Sequence, residues 1–150
     1  MDEAEGPALI QLVYASAAAA DFGVVDLDQI LRAARTNNQR AGVTGVLLFE
    51  SGSFFQVLEG LPEDVDKIFE RISGDPRHSR VVMLLKREVS TRLFGDWTMG
   101  YARMTLGELS SVIGINDFFQ EGECFSQLDS SQAKKLMGSF REGSYRQRIA

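Results

Sequence analysis

The segment Ser53 to Glu59 reads Ser-Phe-Phe-Gln-Val-Leu-Glu, and side chains along a strand point alternately to its two faces. Phe54, Gln56 and Leu58 therefore share one face, and Phe55 and Val57 share the other. Both faces are largely apolar, so this strand has to be covered on both sides within a layered sheet. The amide of Gln56 then points into a buried region. Leaving a buried amide without partners costs about 1–3 kcal/mol, and the ordinary solution is a hydrogen bond to backbone or water.

The rest of the chain supplies the other layers. Leu9 to Tyr14 is a short apolar run that reads as a buried strand. The Ala-Gly segment after it reads as a loop ending at Asp26, a helix cap with Gln29 three residues on. Leu27, Ile30, Leu31 and Ala34 then lie on one helical face. Thr36 to Gln39 reads as the end of that helix, with Asn37 and Asn38 as terminators before Gly42. Val43 to Phe49 and Ser53 to Glu59 form a hairpin through Glu50-Ser51-Gly52. Pro62 opens a second helix with Val65, Ile68, Phe69 and Ile72 on one face, and Gly74 and Pro76 end it. Arg80 to Lys86 is a fourth strand and Trp97 to Arg103 a weaker fifth.

This order, β-α-β-β-α-β-β, predicts an α+β ferredoxin-like sheet with two helices on one face. A last amphipathic helix carries Ala133, Leu136, Met137 and Phe140, with Asp129 and Ser130 as cap candidates. It is expected on the open face of the sheet, or as a dimer or partner surface. The expected division is a unit over 8–104 and a C-terminal helical extension over 105–150.

Composition narrows the chemistry. The 150 residues, 44% hydrophobic and 25% charged, fit one soluble globular domain. Apolar runs such as Val46 to Phe49 fall far short of the ~20 residues of a membrane span, and the acidic start Met1-Asp2-Glu3-Ala4-Glu5 is unlike a secretory signal. A lone Cys124 excludes an internal disulfide, so the expected location is cytoplasmic. One cysteine and one histidine, His78, leave no ordinary zinc site, and no metal is expected. The net charge of −5 argues against nucleic-acid binding.

Several residues fit a plain core less well. Tyr14 shares a face with Ile10 and Leu12, and Trp97 and Met99 share a face of the fifth strand. Taken singly, each has a structural account. Together with Gln56 and the two asparagines they make an apolar slot carrying amide and phenol groups, suited to a flat heteroaromatic ligand.

Five segments in order and spacing then carry a resemblance. They are Leu12-Val13-Tyr14-Ala15-Ser16, Asn37 to Gly45, Phe54-Phe55-Gln56-Val57-Leu58-Glu59-Gly60, Asp75-Pro76-Arg77-His78-Ser79 and Trp97-Thr98-Met99. Over about residues 8–104 the chain strongly resembles the BLUF family, blue-light receptors using flavin. The resemblance implies a flavin ring between the two helices, with FAD as the usual occupant and FMN or riboflavin as alternatives. It implies that Tyr14 and Gln56 are the photoactive pair and that Trp97 or Met99 sits beside Gln56. Asn38 is expected to hydrogen-bond the flavin's carbonyl and ring-nitrogen edge, with Asn37 adjacent. Ile30 would pack on the ring and Phe54 line the slot. Arg71 and Asp75 match positions near the polar side of the flavin, and Arg77 and His78 belong to the same motif. About 45 residues follow the sensing unit, so the resemblance implies a short member that is not a turnover enzyme. It would act through a downstream effector protein or as a homodimer or higher homo-oligomer.

Two other classes share this fold plan. An acylphosphatase-type enzyme would need a Gly-rich phosphate cradle after the first strand, where Ala15-Ser16-Ala17-Ala18 stands instead. A flavin-free ligand-sensing or dimerisation domain would be colourless.

Overall fold

A computed structural model describes residues 8–19, 22–50, 52–96, 99–102, 125, 128–141 and 146–147. The elements are β1 (Leu9–Ala18), α1 (Val24–Ala41), β2 (Thr44–Glu50), β3 (Ser53–Gly60), α2 (Pro62–Ser73), β4 (His78–Val89), β5 (Gly100–Ala102), α3 (Ser130–Arg141) and β6 (Arg146–Gln147). They form one six-stranded sheet in the order β4-β1-β3-β2-β5-β6, the α+β ferredoxin-like arrangement. All its pairings are antiparallel except β2 with β5.

Alternation along β1 and β3 divides the core into two layers. On one face Ile10, Leu12, Tyr14, Phe54 and Leu58 pack with Ile30 and Leu31 of α1 and Val65 and Ile68 of α2. On the other, Val13, Ala15, Phe55 and Val57 pack with Phe125, Ala133, Leu136 and Met137. The final helix thus covers the open face through three of its four expected residues. The Phe140 side chain lies outside the described residues. Asp129 caps α3 as expected: Gln132 N–H donates to Asp129 Oδ1 at 2.8 Å, and Asp129 N–H donates to Gln132 Oε1 at 3.0 Å.

The structure shifts several expected boundaries, each for a local reason. β1 does not stop at Tyr14 but runs through the alanines to Ala18, because β3 and β4 pair with it on both sides. Asp26 is not the cap of α1. The helix begins at Val24, and the Asp26 carboxylate reaches back to accept from Gly23 N–H at 2.9 Å. Asn37 and Asn38 do not end α1 either; they lie in its closing turns. The stop is Gly42 at φ +70°, a left-handed conformation that glycine adopts without a Cβ penalty. β4 extends past both ends of Arg80–Lys86; within the expected Trp97–Arg103, the described residues are Met99 and the strand β5 over Gly100–Ala102, and Arg103 lies outside them. Trp97, Thr98 and Cys124 lie outside the described residues.

One glycine sets the strand spacing. A Cβ at Gly45 in β2 would lie 1.8 Å from the carbonyl oxygen of Val57, so β2 and β3 approach as they do only because that side chain is absent.

Candidate functional site

A cavity opens between α1, α2 and the helix-covered face of the sheet. Ile30, Ala33 and Ala34 of α1 and Ile68 and Ile72 of α2 form its walls, and Tyr14, Leu47 and Gln56 form its floor. The wall residues recur at the three- and four-residue spacing that puts side chains on one helical face. Alanines at 33 and 34 keep the gap open where larger side chains would close it. Asn37, Asn38, Arg71, Asp75, Arg77 and His78 complete the lining. The cavity volume is about 100 Å³, several times the ~10–15 Å³ that one water needs, so it is room for more than a single bridging water.

Register explains the central pair. Tyr14 and Gln56 are direct neighbours across β1 and β3, and both are buried. The Tyr14 hydroxyl donates to Gln56 Oε1. The opposite end of the amide, Nε2, donates to Met99 Sδ at 3.3 Å. Met99, not lining the cavity itself, is therefore the residue beside Gln56 among the described ones. A thioether is a weak acceptor, so the amide is held firmly by the phenol and loosely by the sulfur. Burial pushes the Tyr14 phenol well above its ordinary pKa, and the negative charge of Asp75 adds to the effect. The hydroxyl keeps its proton.

Asn38 supplies a further polar group to the cavity. Its side chain is 1% exposed, yet Nδ2 is a buried amide nitrogen with no hydrogen-bond partner. It is the one such atom among the described residues. Unmet buried donors are rare in folded proteins, and this one sits in the lining of the cavity. An apolar slot between two helices, with a free amide donor and a phenol-amide pair, fits a flat ring whose edge carries acceptors. A flavin ring has that chemistry.

The polar rim is built by the turn between α2 and β4. Asp75 accepts from the Arg77 backbone N–H at 2.9 Å and from the Arg77 guanidinium at 2.8–3.2 Å. This bidentate pair holds the Asp75 carboxyl below its usual range. Arg71 is exposed at the same rim.

His78 enters the site because β4 is bulged. Between the pairs Ala15–Val82 and Ala17–Ser79, Ser16 faces two residues of β4, and Arg80 takes φ +51° there. Bulges re-aim side chains next to functional sites. His78 Nδ1 and Ser16 Oγ are 2.9 Å apart, and the imidazole lies 4.6 Å from the Phe54 ring, centroid to centroid. Burial holds His78 below the ordinary imidazole value. Phe54 does not line the cavity as expected; it packs behind His78 with Phe22 and Phe49. Trp97 lies outside the described residues. Ser16 and Arg77 were not singled out for contacts by sequence reasoning, although both stand inside the motifs that were.

No group of three or more His, Cys, Asp and Glu side chains that could hold a metal occurs among the described residues. No helix among them is long and apolar enough to cross a membrane.

Comparison with known proteins gives concordant results. Residues 9–100 match the family model described as BLUF, sensors of blue light using FAD. A photoactivated adenylate cyclase subunit beta from Euglena gracilis is 42% identical over 78 residues, covering 52% of this chain and 9% of that protein. The blue light- and temperature-regulated antirepressor BluF of Escherichia coli K12 is 36% identical over 120 residues, covering 80% of this chain and 29% of the antirepressor. This chain thus spans under a third of either relative. Among solved structures, the photo-activated state of BlsA superposes with a TM-score of 0.78 at 26% identity, covering 94% of this chain and 99% of that one. The dark state of the BLUF protein BlrB gives 0.74 at 29% identity, covering 91% and 97%.

Proposed function

The chain belongs to the BLUF family of blue-light sensors using FAD, and on that premise we propose that Tyr14 and Gln56 are its photoactive pair. The protein is a blue-light photoreceptor that binds flavin. One observation carries the assignment of residues: the Tyr14–Gln56 hydrogen bond and the unpartnered Asn38 Nδ2 line one cavity. Asn38 would donate to the acceptor edge of the ring with Asn37 beside it, and Ile30 would pack on the ring. Arg71, Asp75 and His78 would face the polar side, with Phe54 supporting His78 from behind.

When bound, a flavin supplies blue-light absorption and a place to take up an electron and a proton. Tyr14 is suited to give both. Its phenol stays protonated in the buried site, and its O–H is already directed at Gln56 Oε1, so a proton leaving Oη passes to the amide oxygen. With the ring bound, an amide that gained a proton at Oε1 and gave one up from Nε2 toward the ring would have exchanged donor for acceptor, and so would one that rotated. Either change leaves the side-chain volume nearly the same. Little holds Nε2 in its starting arrangement, because its partner there is the Met99 sulfur. Trp97 belongs to the same segment of sequence as Met99, and the amide exchange would be felt at both.

The rearranged amide is a local change of hydrogen bonding, and it needs a route outward. Phe55 and Val57, the neighbours of Gln56 in β3, pack in the same layer as Leu136 and Met137 of α3. We place the sensing unit at 8–104 and the output in the extension over 105–150, signalling to an effector protein in the cytoplasm with no substrate turned over by this chain. Association with a second copy belongs to the same reading. Exposed Val82 and Met83 on the edge strand β4 are apolar surface consistent with it.

The absorption spectrum of the purified protein tests the sensor function. Flavin bands that shift to the red under blue light and return in darkness are expected. Protein that fails to hold added flavin would refute the reading, and would favour a flavin-free domain of this fold.

A further inference from the structure

Glu59 is a fully buried carboxylate three residues from Gln56 in β3, facing the layer opposite the cavity. Its Oε2 accepts from Gln11 Nε2 at 2.7 Å and from Leu93 N–H at 3.0 Å, and its Oε1 accepts from Phe94 N–H at 2.8 Å. Gln11 is itself fixed by Arg87, whose Nε donates to Gln11 Oε1 at 2.9 Å. Arg92 Nη1 donates to the Glu59 carbonyl oxygen and to Thr44 Oγ1, at 3.0 Å each. The Phe94 ring is sealed in the core beneath α3. The connection leaving β4 is therefore tied to the end of β3 through Glu59.

Five residues after Phe94 the same connection delivers Met99. Its sulfur accepts from Gln56 Nε2, and its carbonyl oxygen accepts from Arg35 Nε of α1 at 3.1 Å. Leu93 and Phe94 are thus held before this stretch by Glu59, and Met99 is held after it by Arg35 and by the pairing of the adjoining Gly100 with Val46 of β2. The Glu59 carboxylate accepts three hydrogen bonds, two of them from backbone N–H groups of the stretch that leads to Met99.

We propose that Glu59 is a positioning residue for the photoswitch, holding the 92–94 segment so that the Met99 sulfur meets Gln56 Nε2. The clamp sets how firmly the dark arrangement of the amide is kept. This rests on the reading of Tyr14 and Gln56 as the photoactive pair.

Glu59→Gln tests it in the flavin-loaded full chain. A glutamine has one oxygen, so in either orientation its NH₂ would face the backbone N–H of Leu93 or of Phe94. The variant should bind flavin within two-fold of the original and form the red-shifted state, and its dark recovery should slow at least three-fold. In a Met99→Ala background the same substitution should slow recovery by less than three-fold, because the element through which it acts is gone. Slowing below three-fold in the original background, or of three-fold or more in both, overturns the proposal. Should Glu59→Gln fail to fold, Gln11→Met removes one donor at similar volume and is held to the same two outcomes. If the unsubstituted protein shows no light-induced shift, the photoactive-pair reading fails and this proposal with it. If it does shift, and Tyr14→Phe abolishes the shift while Glu59→Gln leaves recovery unchanged, only the role of Glu59 is refuted.

Discussion

Replacing Asn38 by alanine separates a ligand-binding role from a structural one, because the two predict opposite signs. Asn38 Nδ2 lines the cavity and bonds to no group among the described residues, so truncating it breaks no hydrogen bond within the fold. Removing it should leave the thermal stability of flavin-free protein unchanged or raised. With flavin bound the same nitrogen gains an acceptor, so Asn38→Ala should weaken binding by about 1–3 kcal/mol. At about 1.4 kcal/mol per factor of ten, that is roughly a 5- to 150-fold rise in Kd. Fluorescence titration of flavin into the two proteins, with thermal unfolding of each flavin-free form, gives both numbers. An unchanged Kd refutes the assignment. So does a loss of flavin-free stability matching the loss of affinity, since Asn38 would then act through the fold.

Other substitutions probe different links. Gly45→Ala places a Cβ 1.8 Å from the Val57 carbonyl oxygen, and overpacking of this kind costs at least about 1–3 kcal/mol; Tm should fall by several degrees, and an unchanged Tm would contradict the strand spacing. His78 is held below its ordinary pKa, so the unfolded chain takes up the proton first as the pH drops through about 6.5. The stability this contributes is complete above that pH and is lost as the pH falls toward the folded-state value. Unfolding temperatures should decline between pH 7 and 5.5, and His78→Gln should flatten that slope, as the chain has one histidine; an equal slope in both would assign the decline elsewhere. Gln56→Leu should keep flavin but lose the normal red shift, because leucine has no amide to exchange donor for acceptor; a normal shift would remove Gln56 from the photoactive pair.

Much of the architecture could be read from periodicity. The two-residue alternation in β3 divided Phe54 and Leu58 from Phe55 and Val57, and the structure puts those sets in different core layers. Helical spacing found the buried faces of α1 and α2 as well as the three α3 residues that cover the sheet. Boundaries set by partners were hidden. Ala15 to Ala18 has weak strand preference alone and is a strand because two neighbours hydrogen-bond it. The end of α1 lies at Gly42, because asparagine tolerates a helical turn when a glycine follows to close it. Gln56, Tyr14 and Asn38 could be singled out as polar groups against an apolar face. Ser16 reaches His78 only through a bulge in β4 that no alternation pattern announces. Glu59 reads as the polar end of a strand, and its burial depends on backbone donors from residues more than thirty positions away.

The claim at the centre of this account is that the Tyr14 hydroxyl supplies the proton for the light reaction, and Tyr14→Phe tests it with the fewest intermediates. The substitution removes one oxygen and keeps the ring that packs 5.5 Å from Phe69, centroid to centroid, so the fold and flavin binding should survive at modest cost. Absorption spectra recorded before, during and after blue illumination are the measurement. The account predicts a yellow protein with no lasting red-shifted state. A Tyr14→Phe protein that still forms that state and recovers in darkness would show that another residue is the donor.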